Sequence, residues 1–136
     1  MGAEGKRIKV LMAKTSIDAH WRGVAVVSMA LRDAGMEVVY GGMLNSKQIA
    51  EAALQEDVDV IGLNIGCRYG QVSELMRILR ERGAEDVLVV AGGTIPREDI
   101  PRLKEMGVAE VFPPGSRLDS IVSYIKQHVR PEKTAD

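Results

Sequence analysis

The run from Ile8 to Leu31, IKVLMAKTSIDAHWRGVAVVSMAL, decides how the chain folds. Ile8 to Ala13 is nearly continuously apolar, the pattern of a strand covered on both faces within a parallel sheet. Lys14 to Gly23 then brings charges, hydroxyls and a glycine, and reads as a loop. Val24 to Leu31 is almost wholly apolar, and Ala34-Gly35 stops it as a helix, because glycine can take the left-handed conformation. Strand, loop and helix in this order make the first half of a crossover that lays its helix on a sheet face.

The same unit recurs along the chain. Glu37 to Tyr40 is a second strand, and Ser46 can cap a helix running to about Gln55 with Ile49, Ala52 and Ala53 on its inner face. Val58 to Leu63 (VDVIGL) is a third strand. Val72, Leu75, Met76 and Leu79 fall at helical spacing, Arg77, Arg80, Glu81 and Arg82 form a solvated face, and Gly83 ends that helix. Val87 to Ala91 is a fourth strand, followed by Gly92-Gly93 and a helix from about Pro96 or Arg97 to Met106, closed by Gly107. Val111-Phe112 is a short fifth strand. Pro113-Pro114-Gly115 turns the chain, and Ser116 with Asp119 resembles a capping box for a last helix with Leu118, Ile121, Val122 and Ile125 inside.

Three helix-to-strand joints share one form, Asp33-Ala34-Gly35, Glu81-Arg82-Gly83 and Glu105-Met106-Gly107. Five strands alternating with five helices predict one doubly wound, flavodoxin-like (Rossmann-like) α/β domain over residues 8–129, with a five-stranded parallel sheet in the order 2-1-3-4-5. Residues 1–7 are expected to be a flexible N-terminus and residues 130–136 a polar tail. Ligands of such sheets bind beyond the carboxyl ends of the strands, where the order reverses. Here that point lies between the Lys14–Gly23 loop and the stretch from Asn64 to Gly70.

A chain of 136 residues fits one domain able to bury about two-thirds of its unfolded surface. Its net charge of −1 supplies no bulk field for nucleic acid or an anionic membrane, so neither is expected as a partner. One cysteine excludes an internal disulfide framework, and no apolar run approaches the ~20 residues of a membrane span. Met1 to Arg7 lacks the apolar core of a secretory signal, so a cytoplasmic location is expected.

The loops choose among the ligands this architecture can hold. A phosphoryl-accepting receiver needs a carboxylate ending strand 3 and acidic residues after strand 1, where this chain has Leu63-Asn64 and Ala13-Lys14. A flavin site needs a glycine- and hydroxyl-rich phosphate loop and aromatic planes; Thr15-Ser16 lacks the glycines and aromatics are 4% of the chain. The G-x-G-x-x-G of a dinucleotide site is absent from the first turn. What stands there is Asp18 and His20, two apart, a spacing that lets a carboxylate hold one ring nitrogen while the other binds a metal. Spacing alone equally describes a solvated or hydrogen-bonded loop histidine.

Asp18-Ala19-His20-Trp21-Arg22-Gly23 matches the D-x-H-x-x-G signature of cobalamin-binding domains. From Lys9 to about Ile125 the chain resembles that family, most nearly the cobalamin-binding domain or small subunit of methylmalonyl-CoA mutase, whose wording ALRDAGMEVVY, AALQEDVDVIGL and EDIPRLKEMGV is similar to. The resemblance implies His20 as the lower axial ligand of cobalt, base-off and His-on, with Asp18 accepting from its other nitrogen and Lys14 pairing with that carboxylate. It implies that Gly23 admits the displaced nucleotide tail into a slot between the sheet and its first and last helices. It further implies that Gly92-Gly93 keeps side chains off the buried benzimidazole, and that Ser116 offers the tail a hydroxyl.

The chain departs from the family after strand 3, where S-x-L, small residues and histidine are usual and Asn64-Ile65-Gly66-Cys67-Arg68-Tyr69-Gly70 stands. Asn64 can still hydrogen-bond a benzimidazole nitrogen, Gly66 forgoes leucine's apolar wall, and Arg68-Tyr69 would put bulk and charge at the corrin edge. Trp21 replaces a usually polar residue, to cover the corrin rim or to contact a partner chain. Bland readings stand beside these: Lys14 solvated, Asn64 a strand end, Gly92-Gly93 a tight turn, Cys67 a small buried hydrophobe, His128 a surface residue suited to a helix C-terminus.

The implied function is that of the cobalamin-binding subunit of an adenosylcobalamin-dependent, methylmalonyl-CoA mutase-like isomerase. No catalytic residue is expected on this chain, and no activity alone. The radical 1,2-rearrangement of an acyl-CoA would take place on a separate, larger barrel subunit. The alternative is a corrinoid carrier for methyl transfer, or a cobalamin chaperone or sensor.

Overall fold

Six consecutive buried residues, Val60–Ile65, form β3 at the centre of the sheet. A strand with no exposed face needs helices on both sides, and the rest of the fold supplies them. The computed structural model describes residues 7–15, 21–66 and 69–129, with the backbone alone at Trp21 and Arg22. The elements run β1 (Lys9–Lys14), α1 (Trp21–Asp33), β2 (Glu37–Met43), α2 (Ser46–Glu56), β3, α3 (Gly70–Glu81), β4 (Leu88–Gly93), a 3₁₀ turn (Arg97–Asp99), α4 (Ile100–Met106), β5 (Glu110–Phe112) and α5 (Leu118–His128). All pairings are parallel, in the order β2-β1-β3-β4-β5, as the sequence predicts. Among the described residues no helix is long and apolar enough to cross a membrane.

Alternation along each strand sorts the core into two halves. Leu11, Ile61, Leu63, Val89 and Val111 pack under α2, α3 and α4. Val10, Met12, Val60 and Val90 face Val24 and Leu31 of α1 and Ile121 and Ile125 of α5. On this second face the register lines up rows across the sheet. Met12 stands beside Gly62 and Gly62 beside Val90, while one row nearer the carboxyl ends Lys14, Asn64, Gly92 and Phe112 follow one another.

The three repeated joints work as read: Gly35, Gly83 and Gly107 take φ of 91°, 71° and 114°. Several boundaries differ. β2 runs past Tyr40 to Met43, because Met12 pairs with Tyr40 but Ala13 with Gly42, a bulge that lets the strand continue. β4 runs through Gly92 and Gly93, so these glycines end a strand instead of following it. Ser46 is the first residue of α2 and is buried; Asn45 caps that helix, accepting from the Gln48 N–H at 2.8 Å while the Gln48 side chain accepts from the Asn45 N–H at 3.0 Å. Pro101 in the first turn of α4 lacks an N–H, and the turn before it tightens to 3₁₀.

No capping box opens α5. Ser116 donates its hydroxyl to Pro113 O at 2.6 Å, and Asp119 is held by Arg117 at 3.0 and 2.9 Å. The expected polar tail 130–136, and the N-terminus 1–7 except Arg7, lie outside the described residues.

At the amino edge of the sheet Asp59 is fully buried and accepts from the Lys9 N–H at 2.9 Å. Its own N–H donates to Lys9 O at 2.8 Å, and its carbonyl accepts from the Leu88 N–H at 3.0 Å. One residue thus starts three strands in register. Asp59→Ala leaves the Lys9 N–H without that acceptor and is expected to lower unfolding free energy by about 1–3 kcal/mol. Urea unfolding measures this, and an unchanged midpoint would remove Asp59 from the set of register-fixing residues.

Candidate functional site

At the carboxyl half of the sheet, α1 and α5 do not close over the strands. A cavity of about 410 Å³ remains between them, within the ~300–1,000 Å³ typical of small-ligand sites. Its back wall is the second face of the sheet, with Met12, Gly62 and Val90 deep and Asn64, Gly92 and Gly93 nearer the mouth. Phe112 and the turn Pro113-Pro114-Gly115 close one side. None of the described residues that line it is charged. The depth of such a space accepts an apolar body, and a charged group of the same ligand would have to stay by the polar side chains of Asn64, Thr94 and Ser116, because burying an unpaired charge is costly.

The cavity's lips are the reason two apolar side chains are left in water. Val26 of α1 is 43% exposed and Leu118 of α5 is 38% exposed, and both line the opening. Leu118, expected inside the last helix, instead overhangs the cavity, because the first turn of α5 stands above the opening and not above the core. An occupant would cover both residues, which gives their exposure a function.

Five of the residues implicated by sequence come together here: Gly23, Asn64, Gly92, Gly93 and Ser116 line the one cavity. Asn64 is 8% exposed, and a Cβ added to Gly23 would stand 3.7 Å from its Nδ2. Lys14 and Gly66 do not line the cavity, although Lys14 is beside Asn64 in the register and Gly66 is buried at the end of β3. Asp18, Ala19, His20, Cys67 and Arg68 lie outside the described residues, as do the side chains of Trp21 and Arg22. Among the described residues no group of three or more His, Cys, Asp or Glu side chains is placed to hold a metal ion.

The geometry gives Gly93 a reason that involves no ligand. Its φ is 122°, and a Cβ there would run into the carbonyl oxygen of Ile65, with Asn64 Oδ1 at 3.1 Å. Gly92 is less confined, its added Cβ meeting Phe112 O at 3.3 Å. Tyr69 packs inward: the residue is 7% exposed, its hydroxyl donates to Asp99 Oδ2 at 2.7 Å, and the Arg102 guanidinium lies 5.6 Å from the ring centroid. Burial of an aromatic whose hydroxyl finds a carboxylate is more favourable than leaving it in the loop.

Sequence reading passed over Met12, Gly62, Thr94 and Val26, which also line the cavity. The signal for Gly62 was present, since a glycine inside an apolar strand marks a close approach. Burial raises the Tyr40 and Tyr124 phenols, and Glu110, though burial pushes it up, is drawn below its ordinary value by Lys104 and the Val111 N–H. None of these residues lines the cavity. His128 is exposed, with Nδ1 2.8 Å from Tyr124 O at the end of α5.

A doubly wound sheet whose α1/α5 face carries a cavity with no charged side chain among its described lining residues offers a place for a ligand. The chain belongs to the B12-binding domain family, whose model matches residues 8–123, and its cofactor is cobalamin. It is 43% identical over 125 residues to the 2-hydroxyisobutanoyl-CoA mutase small subunit of Aquincola tertiaricarbonis, covering 87% of this chain and 92% of that one. It is 41% identical over 118 residues to the methylmalonyl-CoA mutase of Rhizobium meliloti (strain 1021), covering 84% of this chain but 16% of that protein's length. A cobalamin-binding protein from Desulfitobacterium hafniense DCB-2, 21% identical, has the same fold, with a TM-score of 0.76 over 92% of this chain and 60% of that one.

Proposed function

We propose that the chain is the cobalamin-carrying subunit of an adenosylcobalamin-dependent acyl-CoA mutase. In this reading it holds the cofactor base-off, with His20 on the lower face of cobalt and the nucleotide tail in the cavity between α1 and α5. The observation that carries it is the cavity itself: without charge among its described lining residues, apolar in its depth, glycine-lined, and opening beside the start of α1. A nucleotide tail fits this donor set. Its aromatic base needs apolar walls, its phosphate needs donors such as the Asn64 amide and the Thr94 hydroxyl, and a sugar hydroxyl can donate to Ser116 Oγ, whose own hydrogen is held by Pro113 O.

Each residue of the chain then has a task that is binding or positioning. Asp18 accepts a hydrogen bond from the ligand imidazole, fixing its tautomer and raising its basicity, and Lys14 tempers that carboxylate. Gly23 leaves the entrance open. When bound, the cofactor supplies radical chemistry through its cobalt–carbon bond. Similarity over 92% of a relative named as a small subunit supports a separate, larger partner that brings the acyl-CoA, and supports this chain being inactive alone.

The test is the visible spectrum of the cobalamin complex. The native chain is expected to bind cobalamin with a base-off, His-on spectrum, and His20→Ala is expected to lose the His-on signature while the chain stays folded. An unchanged spectrum in His20→Ala would overturn the ligand assignment. A chain that gives no mutase turnover alone but gains it with a copurified larger subunit would support the mutase reading; methylcobalamin bound with a methyltransferase partner would replace it.

A further inference from the structure

We propose that Met12 and Gly62 together set the floor of the cavity and select the cofactor's lower base by requiring an apolar far edge. This rests on the reading that the nucleotide tail occupies the cavity. Gly62 sits in the middle of β3 with ordinary strand backbone, so conformation does not call for glycine there. Space does. A Cβ on Gly62 would stand 2.5 Å from Met12 Sδ and 3.4 Å from its Cε, so the thioether of β1 lies across the place where a β3 side chain would be. Met12 is 6% exposed, and what remains open above it belongs to the cavity.

The chemistry at this depth is uniform. Val10, Leu31, Gly62, Val90 and Ile125 join Met12 around the floor, and none offers a side-chain nitrogen or oxygen. The polar groups that line the cavity, Asn64, Thr94 and Ser116, stand nearer the carboxyl ends of the strands: Asn64 is two residues beyond Gly62, and the other two follow β4 and β5. Of the side-chain atoms there, a base edge that reaches the floor therefore meets only carbon and sulfur. A methylated benzimidazole edge gains from that contact, whereas a purine's exocyclic amine would be stripped of water with no partner. Methionine suits the position because its unbranched chain adapts to the edge placed on it.

Binding constants read from absorbance titrations test this with three probes: cobalamin, the cobamide carrying adenine as lower base, and cobinamide, which lacks the nucleotide. The native chain is expected to favour cobalamin over both by at least about tenfold. Gly62→Ala pushes the Met12 tip into the cavity, and is expected to weaken cobalamin at least about tenfold while leaving cobinamide unchanged. Met12→Val in the same chain should restore cobalamin binding. Met12→Gln, similar in size but bearing an amide, is expected to shrink the preference for cobalamin over the adenine cobamide at least about fivefold. An unaltered preference in Met12→Gln overturns the selection by the floor, even where Gly62→Ala does not fold. A native chain that binds cobinamide as tightly as cobalamin overturns the placement of the tail in this cavity, a different result from the first.

Discussion

Gly93→Ala is expected to lower the stability of the fold by about 3 kcal/mol or more, two separate costs acting at one atom. The φ of 122° is a conformation that L side chains rarely adopt, worth about 1–3 kcal/mol. The added Cβ also meets backbone: the carbonyl oxygen of Ile65, and its nitrogen at 3.2 Å. Those atoms belong to the hydrogen-bonded pairing of β3 with β4, which has Ile65 beside Gly93, so relief requires the two strands to part. Overpacking of this kind costs about a further 1–3 kcal/mol. Against a total of about 5–15 kcal/mol the loss is large, and corresponds to a fall in melting temperature of roughly 10 °C.

Gly35→Ala is the control. Its φ of 91° is also unfavourable for alanine, but nothing lies within 4 Å of its added Cβ, so that substitution carries the conformational cost alone. Equal melting shifts for the two variants would show that the β3–β4 edge yields, and would remove the close approach as the reason for glycine.

What the sequence revealed and what it hid divide along a physical line. Strands such as IKVLMA and VDVIGL are legible because burial on both faces demands unbroken apolar residues. The joints at Gly35, Gly83 and Gly107 are legible because a left-handed residue must end each helix. Order 2-1-3-4-5 follows from handed crossovers. Hidden are facts that depend on where two distant segments meet. The inward periodicity of Leu118 is correct for a helix, yet cannot reveal that this turn overhangs a gap in the core. Ser116 and Asp119 have capping-box spacing, but Pro113 O and Arg117 compete for them and prevail. Tyr69 reads as loop bulk until Asp99, thirty residues away in sequence, is brought to its hydroxyl. Of the site, Gly23, Asn64, Gly92, Gly93 and Ser116 converge, while the cavity's depth belongs to Met12 and Gly62, whose relation is a matter of strand register.

Gly23→Leu is expected to separate ligand binding from stability, because the two effects have opposite signs there. Gly23 is the third residue of α1 and is exposed. A Cβ at this position meets only Asn64 Nδ2, at an ordinary 3.7 Å, so the protein itself raises no objection to a side chain. Glycine in a helix costs up to about 1 kcal/mol relative to good helix formers, so leucine should leave the melting temperature unchanged or raise it. The side chain, however, starts at the cavity mouth and is aimed at the amide that borders it. Its three further carbons occupy the path by which anything reaches Met12 and Gly62. Cobalamin binding is therefore expected to weaken at least about hundredfold, measured by absorbance titration, while cobinamide, which needs no entry to the cavity, loses little. Leucine at 23 with native cobalamin affinity would mean that the tail passes elsewhere, whereas weakened binding of cobalamin and cobinamide alike would mean that Gly23 acts on the corrin and not on the passage beneath it.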